Sequence, residues 1–172
     1  MFNVIIFSSS LEFIKIINKF FYIREIYTDK PIKNEIKNWT SKKKIRLIFT
    51  KNKLEFNKKN KIKTINDLGL SFGFSIIFKN YQIKKFKHGI WNFHTGDLPK
   101  YQGRHPITYA FLNNEKKIAL SIHKIDKNID QGKLLYKKFV VRKNRDTEKE
   151  IINKIIKIMP NGIKKSISNY KN

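Results

Sequence analysis

The sequence predicts an α/β protein of the Rossmann-like, doubly wound type, with a mostly parallel sheet that carries an antiparallel edge. Short β-branched and aromatic runs alternate with amphipathic stretches in the order βαβαβ across residues 4–49, and right-handed crossovers turn that order into a parallel sheet. Two later strand-like runs, at 118–122 and 134–141, lie too close for a crossover helix and therefore pair antiparallel. An amphipathic pattern at 148–159 supplies a final helix.

Each element has its own justification. Val4-Ile5-Ile6-Phe7 reads as a buried first strand, Ser8-Ser9-Ser10 as its exit loop with a helix cap, and 11–21 as an amphipathic helix. A second strand at 23–27, a turn at Asp29-Lys30-Pro31, a helix at 32–40 and a third strand at 45–49 follow. Residues 51–66 are rich in Lys and Asn and predict a surface connection with at most a short helix. The run 68–77 is strand-like but contains Gly69 and Gly73, which let a backbone come close to a ligand. Pro106 opens an apolar helix over 107–112, where a missing N–H costs nothing. In the last helix Ile151, Ile152, Ile155 and Ile156 form a core stripe, and Pro160-Asn161-Gly162 is expected to end it. The expected division is one domain over 1–160 and a short tail over 161–172, either a weak helix or frayed.

Composition narrows the possible functions. The 172 residues include no Cys, which excludes disulfides and thiolate metal sites. No apolar run reaches the ~18 residues of a membrane span, and the amino terminus lacks a basic leader, so a cytoplasmic protein is expected. The net charge is +25, and only 5 of the 38 basic residues are Arg. Lys, Asn, Ile, Phe and Tyr, all with A/T-rich codons, make up 101 of the 172 residues. Much of the basicity therefore reads as genome composition, although a positive field still attracts anionic partners.

The reactive side chains concentrate in residues 89–132. Gly89-Ile90-Trp91 leads into Asn92 and His94, two apart on a strand and so on one face, just before Gly96 and Pro99 break regular structure. Strand ends of open α/β sheets are where such folds place their chemistry. Leu98-Pro99-Lys100-Tyr101-Gln102-Gly103 makes a loop of fixed shape. Asp130 follows between Ile129 and Gln131-Gly132. Taken singly, each residue has a structural alternative: Asn92 closing a strand, His94 as a hydrogen-bonded loop histidine, Asp130 as an Asx-turn acid. His123 and Asp126 form a His-x-x-Asp pair that can equally serve to order the Asp130 loop.

The Asn-x-His, Leu-Pro-x-Tyr-x-Gly and Ile-Asp-x-Gly segments, in this order, resemble the formyltransferase family that uses 10-formyltetrahydrofolate. The resemblance places Asn92, His94 and Asp130 on the three active-site positions, with His123 and Gly132 in support. It implies that Ser71, Phe72, Gly73, Phe74 and Ile76, together with Asp126, help hold the folate; a buried strand packed with small residues is the alternative for 71–76. Thr95, Gly96, Tyr101 and Gly103 are then the acceptor-side loop. In formyl transfer a primary amine attacks the formyl carbon and an oxyanion develops, which asks for preorganised donors. Asn92 and a protonated His94 are the expected donors, and Asp130 the group that takes the amine's proton. Many relatives have Arg at the position of Gln102, a departure that weakens any claim that this position binds a charged group.

The resemblance also orders the acceptors. Ser8-Ser9-Ser10 stands where a glycinamide ribonucleotide enzyme has a glycine-rich phosphate loop, which argues against that substrate. Thr28-Asp29-Lys30-Pro31 passes into the next helix without the basic insertion of a methionyl-tRNA enzyme. The favoured acceptor is thus a small-molecule amine on a nucleotide-linked amino sugar. Methionyl-tRNA with a minimal enzyme is the alternative, and a non-catalytic folate- or RNA-binding remnant is the other-class alternative. Neither a metal nor a membrane partner is expected, and the oligomeric state is left open.

Overall fold

The structure is a computed structural model that describes residues 2–51, 56, 62 and 65–171. Seven strands form one sheet in the order β3-β2-β1-β4-β5-β6-β7, the mostly parallel sheet with an antiparallel edge that the sequence predicts. The chain divides into two compact units, residues 1–91 and 92–172.

The first unit contains β1 (Asn3–Ser8), α1 (Leu11–Ile17), β2 (Tyr22–Thr28), α2 (Asn34–Lys42), β3 (Arg46–Phe49), β4 (Leu68–Phe72) and α3 (Asn80–Ile83). β1 pairs parallel with both β2 and β4, and β2 with β3. An inner strand has no solvent face, so Val4, Ile5, Ile6 and Phe7 are all buried. The Ser10 hydroxyl accepts from Phe13 N–H at 3.2 Å and caps α1 as expected. Phe7 anchors a cluster of rings with Tyr27, Phe56, Phe74, Phe78 and Phe86. Gly69 is needed for close approach, since a Cβ there would lie 2.8 Å from Ile90 Cγ1. The run expected to be strand-like to residue 77 stops at Phe72 because Gly73 turns into the left-handed region at φ +63. The short helix α3 carries no periodic signal of its own. Most of the connection expected over 51–66 lies outside the described residues.

The second unit receives the end of β5 (Ile90–His94) and adds α4 (Pro106–Leu112), β6 (Lys117–Lys124), β7 (Leu134–Val141) and α5 (Glu148–Lys171). β6 and β7 pair antiparallel from Lys117↔Val141 to His123↔Leu134, with a register shift between Ile122 and His123. Pro106 occupies the first turn of α4, as predicted. No helix among the described residues is long and apolar enough to cross a membrane.

The helix expected to end at Met159 instead runs to Lys171 with Pro160 inside it, and the segment 161–171, expected as a weak helix or a frayed tail, is helical and continuous with it. Interior Pro and Gly cost a helix about 3 and about 1 kcal/mol respectively. The buried face nevertheless continues past them through Met159, Ile163 and Ser166. Gly162 is part of that packing: a Cβ would lie 2.9 Å from Ile122 Cδ1 and 3.0 Å from the Tyr136 ring. Asn169 Nδ2 then donates to Leu135 O at 2.9 Å. Burial beyond the proline offsets the local penalties. Ile163→Ala should therefore destabilise the protein by about 2–4 kcal/mol in chemical denaturation; an unchanged midpoint would mean that this segment is not part of the core.

Candidate active site

The site is built within the second unit. β5 ends on Asn92 and His94, and the pleat gives them one side of the strand. β6 supplies His123, and the β6–β7 connection supplies Asp130. The Asp130 carboxylate gathers the others. Gly103 N–H donates to its Oδ2 at 2.8 Å, His94 Nδ1 lies 3.4 Å from Oδ2, and His123 Nε2 lies 3.3 Å from Oδ1. Asn92 Nδ2 is 3.3 Å from His123 Nε2 and 3.5 Å from Asp130 Oδ1. Both histidines are buried, and the Asp130 side chain is 12% exposed.

Backbone groups fix this arrangement. His94 Nε2 lies 2.6 Å from the Tyr101 carbonyl, which can only accept, so Nε2 carries the ring's hydrogen. His123 Nδ1 donates to the Lys124 carbonyl at 2.9 Å. Gly96 leaves room for the His94 contact, because a Cβ there would lie 2.7 Å from both His94 Nε2 and Tyr101 O. Asp130 sits at φ +54, a conformation that Asp and Asn tolerate better than most residues. Two residues on, a Cβ at Gly132 would lie 1.8 Å from Lys124 O, so only glycine fits. The Asx-turn role belongs to Asp126, whose Oδ1 accepts from Asn128 N–H at 2.8 Å, and not to Asp130.

Burial pushes the proton affinity of His94 down; the Asp130 charge and the Tyr101 carbonyl oppose this, and His123 adds to it. The net pKa lies below the ordinary imidazole value. The protonated His94 expected from the sequence is thereby corrected to a neutral ring at neutral pH, because desolvation outweighs the carboxylate. For Asp130 burial raises the pKa, but the contacts to His123, His94 and Gly103 N–H outweigh it and hold the acid below its ordinary value. A carboxylate thus faces the lone pair of His94 Nδ1, and a proton arriving between them is shared by both.

A pH dependence follows. A group whose folded pKa is depressed contributes stability above its unfolded pKa and loses it as pH falls through the folded one. For His94 that loss begins below about pH 6.5, and for Asp130 only below about pH 4. Thermal melts between pH 7.5 and 5 should fall for the wild type and fall less for His94→Gln; equal slopes would remove His94 as the cause.

The other expected residues are distributed as follows. Ser71 and Phe72 are buried at the end of β4 in the first unit, Phe74 packs in the Phe7 ring cluster at 5.5 Å, and Ile76 is buried. Gly73 is open, with nothing within 4 Å of a Cβ. Of the acceptor-side loop, Gly96, Tyr101 and Gly103 are turned inward to hold His94 and Asp130, and Thr95 is half-buried. Sequence reasoning missed Ser121, fully buried, whose hydroxyl donates to Gly96 O at 2.7 Å. Its signal was a lone hydroxyl inside the apolar run of β6. It also missed Lys137, whose ammonium donates at 2.7 Å to both Asp97 Oδ1 and Leu98 O. Asp130 forms one wall of a cavity of about 360 Å³, with Leu98, Pro99, Gln102, Gln131, Gly132 and Leu134. Among the described residues no group of His, Cys, Asp and Glu is arranged to hold a metal ion.

The family model for formyl transferases matches residues 25–167. The chain belongs to the formyl transferase family. Among similar curated proteins is the methionyl-tRNA formyltransferase of Borreliella afzelii, 32% identical over 164 residues, covering 90% of this chain and 52% of that protein. Another is the bifunctional polymyxin resistance protein ArnA of Wigglesworthia glossinidia brevipalpis, 27% identical over 148 residues, covering 82% and 22%. The chain therefore spans about half or less of the length of these relatives. The phosphoribosylglycinamide formyltransferase structure from Bacillus halodurans superimposes with a TM-score of 0.78 at 21% identity, covering 98% of this chain and 94% of that one. The formyl transferase fold is thus that of this chain.

Proposed function

We propose that this formyl transferase family member transfers the formyl group of 10-formyltetrahydrofolate to a primary amine, with Asn92, His94 and Asp130 as its catalytic residues. The observation that carries the reading is the Asp130 carboxylate facing the open Nδ1 of a neutral, buried His94, with Asn92 beside it. The amine nitrogen bonds to the formyl carbon, whose oxygen becomes an oxyanion. Asn92 Nδ2 can serve that oxygen, since its present contacts, at 3.3 and 3.5 Å, are long and weakly held. The proton leaving the amine enters between His94 Nδ1 and Asp130 Oδ2, where it forms an imidazolium–carboxylate pair. The same proton goes to the folate nitrogen as the carbon–nitrogen bond to the donor breaks. Within the first unit the open backbone around Gly73 is a proposed folate contact; within the second, Asp126 is another.

Methionyl-tRNA is the acceptor we favour. The curated relative that covers 90% of this chain bears that activity in its name, and a net charge of +25 suits a polyanion. The nucleotide-linked amino sugar favoured by the sequence remains a second reading, supported by the short passage from Thr28 at the end of β2 to Asn34 at the start of α2. Turnover followed by folate absorbance, with charged methionyl-tRNA beside a panel of nucleotide-linked amino sugars, decides between them. His94→Ala should lower the productive rate by about 10²–10⁴-fold while folate binding stays within a few fold; near-normal turnover in that variant would remove His94 from the mechanism. A folded wild type that formylates no amine would favour the non-catalytic remnant.

A further inference from the structure

The residue that dictates where His94 keeps its hydrogen is itself held from a distance. Tyr101 is buried, and its hydroxyl donates to Glu115 Oε1 at 2.7 Å and accepts from Asn113 Nδ2 at 3.1 Å. Lys100 pairs with the same Glu115 oxygen. Tyr101 N–H donates to Asp97 O at 2.9 Å. Ring and backbone are thus fixed together, and the carbonyl of this one residue receives His94 Nε2–H. Gly96 seats that bond, since no side chain fits beneath it.

We infer that Tyr101, anchored through its hydroxyl on Glu115, is a positioning residue that fixes the tautomer of His94 and so keeps Nδ1 open toward Asp130. The inference rests on the reading that the His94–Asp130 pair accepts the amine's proton. Neither the Tyr101 hydroxyl nor Glu115 touches Asn92, His94 or Asp130; both act through the loop carbonyl.

The alternative tautomer shows why an anchor is needed. A neutral imidazole beside a carboxylate gains by donating Nδ1–H to it, a charge-assisted bond about twice as strong as a neutral one. Left to itself, His94 would place its hydrogen between the ring and Asp130. That fills the space meant for the incoming proton, and the ring's open nitrogen is then Nε2, on the side away from Asp130. A carbonyl held at 2.6 Å from Nε2 competes for the hydrogen, but only while it stays in place. Strand residues Ser121 and Lys137 hold the loop between β5 and α4 at Gly96, Asp97 and Leu98, upstream of Tyr101. The bond from Tyr101 to Glu115, just before β6, adds a tie at Tyr101 itself.

The test reads the tautomer directly, from the nitrogen chemical shifts of ¹⁵N-histidine-labelled protein without substrate. Wild-type His94 should show hydrogen on Nε2. Tyr101→Phe keeps the ring and its packing but loses the hydroxyl; it should show a mixture with hydrogen on Nδ1, a kcat lower by about tenfold, and a KM for the formyl donor within about twofold. Glu115→Gln, whose amide oxygen still accepts from the hydroxyl, should match the wild type, whereas Glu115→Leu should reproduce Tyr101→Phe. A Tyr101→Phe protein with wild-type tautomer and kcat overturns the inference, and so does Glu115→Gln behaving as Glu115→Leu. Because the spectra need no substrate, the expected tautomers without formylation of any amine would refute the proton-acceptor reading and leave the anchor standing.

Discussion

Asp130→Asn should lower turnover by about 10³-fold, within the 10²–10⁴ range of general-base loss, while the melting temperature stays within a few degrees. Asn is the cleanest replacement because it tolerates the φ of +54 found at this position. Its amide orientation is also set in advance. Gly103 N–H, 2.8 Å from Oδ2, demands an oxygen, so the new NH₂ must take the place of Oδ1. There it meets Asn92 Nδ2, which now finds a donor where it had an acceptor. His94 Nδ1 is left facing a neutral oxygen, and the stabilisation of an imidazolium is gone. Single-turnover rates with saturating formyl donor measure the effect, and calorimetry supplies the control. Near-wild-type turnover would exclude Asp130 from proton transfer; a collapsed melt would assign it a structural role.

Gly132→Ala carries the largest expected loss of stability, about 3 kcal/mol or more. The atom in the way of its Cβ is the Lys124 carbonyl oxygen at 1.8 Å, part of the main chain, which cannot swing aside as a side chain does. Lys124 N–H also bonds to Lys133 O at 2.9 Å, so relief requires opening the neck of the β6–β7 connection. Gly103→Ala is the matched comparison. It has a positive φ of +82 but nothing within 4 Å of a Cβ, so its cost is conformational, about 1 kcal/mol. Urea denaturation of the two variants should rank them clearly, and equal midpoints would show that the connection yields easily.

The mostly parallel sheet with its antiparallel edge and the grouping of Asn92, His94, His123 and Asp130 were legible because both depend on residue type at a recognisable place. Apolar runs alternating with amphipathic ones specify the sheet, and uncommon reactive residues at strand ends stand out against Lys, Ile and Asn. What was not legible depends on three-dimensional neighbours. Pro160 and Gly162 are local stop signals, and they lose to the burial of Ile163 and Ser166, which only the fold reveals. The charge of His94 turns on desolvation, which no spacing encodes. Tyr101 and Gly103 act on the site through a carbonyl and an N–H, groups that every non-proline residue has. The resemblance therefore placed both in the acceptor-side loop, while their backbone groups bond to His94 and Asp130.

The continuation of α5 past Pro160 has a consequence for the order in which the chain becomes functional during synthesis. Asn92, His94, His123 and Asp130 leave the ribosome before the residues that hold their strands from behind. Gly162 and Asn169, which close on Ile122, Tyr136 and Leu135, come some thirty residues after Asp130 or more. A nascent chain holding all four of these side chains still lacks the support that sets the β6–β7 hairpin. Assembly of the proposed site is thus tied to translation of the helix beyond its proline, and a chain stopped at Met159 would carry all four side chains without the packing that Gly162 and Asn169 supply.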